Sequence, residues 1–449
     1  MIQSTESLVV PISPANDFAP ADSRPDFASN GDLPRHRWYR FKEGFSAGLV
    51  SAFAREYLPQ DGGRLLDPFM GSGTTAVEGA RLGHYVDGIE TNPFMAFMAK
   101  VKTRDYSRVS GIDVAALDCL RQRQRANAFI LPRDSTLVER KGLKKWLLNR
   151  WVAIRFEQLR TSIANVQQAP LRDLLLFALL SSMEDVANAR KDGKCWRYKT
   201  NWKRLDFSGK SLDEAFAAQV IRFIEDIKIS PRLKGIATIA RGDARRHMHR
   251  AGKEETIYDG ILTSPPYLNS FDYTDIYRPE LLMMQAANNA GDLRKLRFNT
   301  LRSHVQVAWK PSAPLNIPLL IEKIQAIDSA GLWCGRIPAM INAYFVDLDQ
   351  VIVQCAKRLK AGATVAFVVA DSAYCGVVIP VGLILSEIFE RRGFAINKIT
   401  TFRQTRGNGN HQQQSGERLN EVMVVAKYRG STTKNLRYKK SSNGQKSCE

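Results

Sequence analysis

Asp67-Pro68-Phe69-Met70-Gly71-Ser72-Gly73-Thr74-Thr75 lies between an apolar run, Leu65-Leu66, and a helical pattern that continues to Leu82. A strand that ends in an acid, turns through two glycines and enters a helix can bring its backbone close to a ligand. Glycine has no Cβ to hold that ligand off. In an open α/β sheet the ligand then sits at the carboxyl ends of the strands. Tight glycine turns are common, and this one lacks the GxGxxG spacing of dinucleotide sites, so it does not identify a cofactor alone.

The surrounding pattern supports a sheet. Arg64 to Asp67 predicts a first strand, Thr74 to Leu82 a helix, Tyr85 to Glu90 a second strand and Pro93 to Lys102 a second helix, a βαβα start. Glu90 ends the second strand seventeen residues after Gly73. That is close to the spacing of about 20 at which an acid reaches ribose hydroxyls. Strands at Ile236 to Ala240, Tyr258 to Leu262, Ala363 to Ala370, Ala395 to Phe402 and Glu421 to Lys427 complete a seven-stranded sheet. Helical patterns at Leu143 to Ile163 and Leu171 to Ala189 fill the gap before the third strand. Asp243, just past that strand in Gly242-Asp243-Ala244-Arg245, could accept from an adenine amino group or simply cap a surface turn.

The fourth strand runs into Thr263-Ser264-Pro265-Pro266-Tyr267. Two φ-restricted prolines between a hydroxyl and an aromatic ring make a stiff loop with little ordering cost. Carbonyls near Ser264 and Pro265 can accept from an exocyclic amine, and Tyr267 offers a stacking face to a base. A base inside a duplex offers neither, so such a loop implies a flipped-out nucleotide. The same tripeptide could also be a rigid connector or a partner-recognition segment. Attack at cytosine C5 would need a nucleophilic cysteine here, and the nearest, Cys195 and Cys334, are remote in sequence.

The composition, 44% hydrophobic and 24% charged over 449 residues, is that of a globular chain with ample core. Its 65 basic against 45 acidic residues give a net charge of +20, which points to a polyanionic partner, nucleic acid first. Six scattered cysteines show no metal-ligand spacing and read as buried free thiols, with no metal site. No signal pattern or membrane-length apolar run is present, so a cytoplasmic location without membrane attachment is expected.

Together the two motifs resemble the bacterial and phage S-adenosylmethionine-dependent DNA amino-methyltransferases, the cytosine-N4 and adenine-N6 family. The resemblance covers residues 36 to 105 and 236 to 428, and the pair is far more specific than either member. It implies a Rossmann-like methyltransferase fold with S-adenosylmethionine as cofactor. Phe69, Gly71 and Gly73 would line its methionine side behind Asp67, Glu90 its ribose and Asp243 its adenine. Ser264, Pro265, Pro266 and Tyr267 would hold the target base. The stretch His36 to Ser46 sits where the family's N-terminal cofactor segment would lie. The cofactor wording resembles the beta class, although the two motifs stand here in the opposite order. Ser before Pro-Pro-Tyr resembles the cytosine-N4 enzymes, with adenine N6 as the alternative. The resemblance further implies double-stranded DNA with the target base flipped out, and a cognate restriction endonuclease, as partners. A catalytically silent DNA-binding protein and a nicotinamide dehydrogenase are rival readings.

The expected organisation is a flexible leader (1–30), a first methyltransferase part (31–105), a helical insertion (106–235), a second part (236–428) and a basic tail (429–449). Within the insertion, Lys191, Lys194, Trp196, Arg197, Tyr198 and Lys199 interleave charge with aromatic rings, which suits DNA contact. The same rings could instead pack the insertion onto the sheet. Arg121, Arg123 and Arg125, the interval Arg294 to Lys310, and Arg403, Arg406, Asn408 and His411 are further basic candidates.

Overall fold

The structure is a computed structural model that describes residues 12–13, 27–122, 136–193, 195–251, 256–269, 271–328, 331–332, 334–406 and 418–430. Its strands are β1 (Ile12–Ser13), β2 (Arg64–Asp67), β3 (Tyr85–Glu90), β4 (Ala189–Asp192), β5 (Cys195–Tyr198) and β6 (Ile236–Arg241). They continue with β7 (Tyr258–Thr263), β8 (Leu359–Ala370), β9 (Ser372–Tyr374), β10 (Val377–Ile379), β11 (Phe394–Arg406) and β12 (Arg418–Tyr428). The main sheet has the order β1-β11-β12-β8-β7-β2-β3-β6. From β6 through β8 the pairings are parallel, and β12 is antiparallel to both neighbours. This is the Rossmann-like methyltransferase sheet of seven expected strands, extended by β1, which pairs parallel with β11 at Ile399 and Thr400. Part of the leader is therefore strand, and its end enters a 3-10 helix, Phe27–Asp32, where the buried Asn30 accepts from Ala47 N at 2.7 Å; residues 1–11 and 14–26, and residues 431–449 of the tail, lie outside the described residues.

Strand order reverses between β2 and β7, the position at which a doubly wound sheet opens a crevice at its carboxyl edge. Helices α1 (Ala47–Tyr57), α2 (Thr74–Arg81) and α3 (Pro93–Thr103) cover the first strands. Asn92 starts α3 by accepting from the Phe94 and Met95 amides, with Pro93 at the first position, where its missing N–H costs nothing. Gly73, at φ 85°, caps α2, and a Cβ there would stand 2.9 Å from Ala99 Cβ, so this glycine lets α2 and α3 close on one another.

The insertion comprises α4 (Ile112–Arg121), α5 (Arg150–Ala164), α6 (Ala169–Ser181), the β4–β5 hairpin and α7 (Gly209–Ile229). It shares one apolar core with the N-terminal segment: Trp38 stacks on Phe223 at 4.4 Å, and Tyr39, Phe94 and Phe177 join them. The buried Asp226 of α7 accepts from Arg35 N, Arg37 Nη2 and Trp38 Nε1 at 2.8, 2.6 and 2.8 Å. Two helix expectations shorten. Leu147 and Leu148 instead bond the backbone of Thr136 and Leu137, so α5 starts only at Arg150, and α6 stops at Ser181 before the hairpin. Of the cysteines expected to be buried, Cys119 and Cys355 are; Cys195 is exposed, Cys334 and Cys375 are half-buried, and Cys448 lies outside the described residues. Among the described residues no helix is long and apolar enough to cross a membrane.

Lys102 on α3 is fully buried, with Nζ 3.4 Å from the His36 carbonyl, and burial lowers its ammonium to about 7. The unfolded chain keeps that proton up to the ordinary value of 10.5, so between these limits it binds more protons and stability rises with pH. We expect Lys102→Met to be more stable than the parent at pH 7, with the gap closing towards pH 10, as urea denaturation across that range will measure.

Candidate functional site

The crevice at the β2/β7 switch holds two adjoining cavities. The first, about 1030 Å³ counted out to bulk solvent, is walled by the β2 turn (Asp67 to Ser72), the β3 end (Ile89 to Asn92), Gly242 to Ala244 and Ser264 to Pro266. The second, about 860 Å³, is walled by Ser264, Tyr267, Asn269, Phe271, Arg403 and Glu421, with Gly193 of the hairpin turn at its edge. Glu43, Gly44, Phe45, Ser264 and Tyr273 line both and form the partition between them.

Asp67 is buried and accepts three bonds, from Phe69 N at 3.0 Å, Thr75 Oγ1 at 2.7 Å and Thr263 Oγ1 at 2.6 Å. Burial raises its carboxyl to about 6 against those bonds. Glu90 accepts from Gly71 N at 2.8 Å and Asn92 N at 2.7 Å, and burial raises it to about 7. Glu90 lines the cavity, and a carboxylate oxygen can accept more than one bond. Gly71, at φ 52°, completes the turn, and Phe69 lines the same wall.

Asp243 also lines this cavity, but Arg245 clamps both its oxygens, at 2.9 Å from Nε and 2.8 Å from Nη2. Arg245 then reaches Asp347 at 2.8 Å, which Arg302 holds from its other side at 2.7 Å. Gly73, the one sequence-expected cofactor residue outside the lining, packs helices behind it.

In the second cavity the Tyr267 hydroxyl donates to Glu421 Oε1 at 2.7 Å, and Arg403 pairs with Glu421 Oε2 at 3.1 Å. Burial, then the Glu421 carboxylate, hold the Tyr267 phenol well above its ordinary range, so it stays a neutral donor. Glu421 was visible in the sequence only as a strand residue. It faces Arg403 across the β11–β12 ladder, and strand register, not spacing, brings the pair to the loop.

Several DNA candidates turn inward. Lys191 is 4% exposed: its ammonium bonds Glu280 and the Tyr39 hydroxyl and faces the Tyr39, Trp196 and Tyr277 rings. An ammonium paired so deeply cannot meet a phosphate, and its expected DNA role is withdrawn. Trp196 donates to the Ile276 carbonyl at 2.9 Å and packs on the core, Tyr198 packs on Trp202, and Lys199 bonds the carbonyls of Glu184 and Asp185. Arg197 is exposed beside Asp192, while Lys194, Arg123, Arg125, Asn408 and His411 lie outside the described residues. In the interval 294 to 310, Leu296, Asn299, Thr300 and Leu301 close the first cavity, while Arg297 pairs with Asp272.

The family model described as RMKL-like, methyltransferase domain matches residues 34–128, the span that carries the β2 turn and the Glu90 strand end. The chain is 29% identical over 437 residues to the Type II methyltransferase M.AvaI of Nostoc sp., with 87% of this chain and 85% of that protein covered. It is 25% identical over 454 residues to the Type II methyltransferase M.BsoBI of Geobacillus stearothermophilus, with 86% and 84% covered. These likenesses support a methyltransferase. Among solved structures it is similar to TrmN from Thermus thermophilus at 12% identity, covering 86% of this chain and 49% of that one; the TM-score of 0.27 is too low to bear on function.

Because Glu90 keeps its proton to about 7 in the fold but loses it near 4.5 when unfolded, the ligand-free protein loses stability as pH rises between these values. We expect Glu90→Gln to gain on the parent by on the order of 2 to 3 kcal/mol between pH 5 and pH 8. Thermal denaturation without ligand at the two pH values checks this.

Proposed function

We propose that this chain transfers the methyl group of S-adenosylmethionine to an exocyclic amino group of a base in DNA, at cytosine N4. The observation that carries the reading is the charge of the first cavity. In a chain of net charge +20 it is lined by Glu43, Asp67, Glu90 and Asp243 and, among the described residues, by no Lys, Arg or His. Asp243 is balanced by Arg245 behind it, but no cation in the lining offsets Asp67 or Glu90, so the wall favours a ligand bearing a sulfonium and an ammonium and repels a pyrophosphate. This weighs against a nicotinamide dinucleotide.

The residues present fit the cofactor. Gly71 leaves the turn open, Glu90 has acceptor capacity for ribose hydroxyls, Phe69 and the Gly71 turn suit the methionine side, and Asp243 stands at the adenine end. When bound, the cofactor supplies an electrophilic methyl group. The chain's part is positioning, the main source of rate in such a transfer. The stiff Ser264-Pro265-Pro266 loop holds an amine at the partition with its carbonyls, and Tyr267, fixed through Glu421, supplies the stacking face in the second cavity. That separate cavity suits a flipped base, which in turn suits double-stranded DNA.

Ser264 before the proline pair supports cytosine N4 over adenine N6, and Arg197 on the hairpin bordering the second cavity supports phosphate contact there. The relatives' Type II designation supports site-specific methylation beside a cognate restriction endonuclease.

Mass spectrometry of DNA digested after incubation with labelled cofactor tests this: we expect N4-methylcytosine. N6-methyladenine would correct the base, and DNA binding without transfer would favour a silent binding protein. We expect Tyr267→Ala to lose roughly 1 to 3 kcal/mol of transition-state stabilisation with cofactor affinity retained, read by single-turnover transfer beside calorimetry.

A further inference from the structure

The partition between the cavities is where a methyl group must cross, and one of its side chains is a carboxylate that borders both sides. Glu43 lines both cavities. Its Oε2 accepts from the Tyr277 hydroxyl at 2.6 Å and from Lys42 N at 3.2 Å, which fixes the carboxylate in the wall. Its other oxygen takes part in neither bond. We propose that Glu43 is the proton acceptor for the target amine, an inference that rests on the amino-methylation reading above.

The chemistry requires such a group. The amine nitrogen's lone pair forms the new C–N bond while the methyl's C–S bond breaks, its electron pair remaining on sulfur. The methylated nitrogen is then cationic and must lose one proton. Glu43 Oε1 takes it, becomes a neutral acid and releases the proton to solvent through the open cavities. Ser264 and the proline carbonyls can orient the amine but cannot hold its proton, while Tyr267 and Tyr273 are phenols whose burial keeps them protonated. Burial also raises Glu43 from its ordinary value, which makes it a better base at neutral pH.

The charged and titratable groups around Glu43 are Lys42 and Tyr39 of its own segment, Lys191 of the hairpin, Tyr273 and Tyr277 beneath it, and Arg403 and Glu421 across the second cavity. Asp67 and Glu90 titrate near 6 and 7 in the first cavity, so rates are measured at saturating cofactor.

The experiment uses the full chain and its methylatable DNA. Single-turnover transfer is followed from pH 5 to pH 9 for the parent, Glu43→Gln and Tyr277→Phe, with cofactor affinity from calorimetry. The expected results are a loss of about 10²- to 10⁴-fold in Glu43→Gln at saturating cofactor, disappearance of the parent's acid limb, and a far smaller loss of cofactor affinity, since three of the four lining acids remain. Tyr277→Phe removes a bond that favours the carboxylate, so the acid limb should move to higher pH. Transfer in Glu43→Gln within about threefold of the parent overturns the proposal. So does an acid limb that persists there, or a rate loss explained by weakened cofactor binding, which would place Glu43 on the cofactor's ammonium instead. If Glu43→Gln does not fold, Tyr277→Phe decides: a shifted limb supports the proposal and an unshifted one overturns it. A parent enzyme that methylates no base amine overturns the functional reading itself.

Discussion

The site depends on one buried carboxylate. Asp67 takes hydrogen bonds from its own turn, from the first turn of α2 and from the last residue of β7, so a single side chain sets the relative position of segments almost two hundred residues apart in sequence. Bonds to a charged acceptor are worth about 1.5 to 3 kcal/mol each, and a buried acceptor left without them would cost more. The strand that delivers Ser264 and the turn that forms the first cavity are therefore locked in register before any ligand arrives. Glu90 repeats the device one strand over, tying the β3 end to Gly71.

The two cavities have different electrostatics because different elements supply them. The last residues of β2 and β3 and the turn after β6 bring carboxylates to the first, while the antiparallel β11–β12 ladder brings the Arg403–Glu421 pair to the second. A surface rich in cations attracts a polyanion at long range, but it does not set the charge of a cleft a few ångströms across. The enclosed carboxylates do, and they oppose the overall charge.

Local signals were legible in the sequence. The seven strands were read to within a few residues because period-two and apolar runs report burial directly, and the Gly71 turn and the Pro265-Pro266 loop were read because glycine and proline restrict the backbone wherever they occur. Long-range pairings were not. Lys191 stands in a run of exposed-looking cations, and its burial depends on Glu280, 89 residues away. The same is true of Arg245 between Asp243 and Asp347. Gly73 was read as a ligand-facing glycine; its packing on Ala99 follows from where α3 returns, which the turn does not encode. Glu43 lay within a segment marked for the cofactor, yet nothing local indicates that it borders both cavities.

The insertion has a structural consequence for chemistry that its lack of motifs concealed. Lys191 of the hairpin bonds Tyr39 and Glu280, its carbonyl accepts from Lys42 Nζ at 2.8 Å, and Tyr277 of the same cluster holds Glu43. A buried ammonium and carboxylate in such a cluster gain little net stability over an apolar pair, but removing one partner strands the other, so the arrangement resists small displacements. The hairpin whose turn borders the second cavity is thus bonded through two side-chain links to the partition where the cavities meet. The hairpin and the segment that carries Glu43 are therefore joined by polar side-chain bonds as well as by apolar packing.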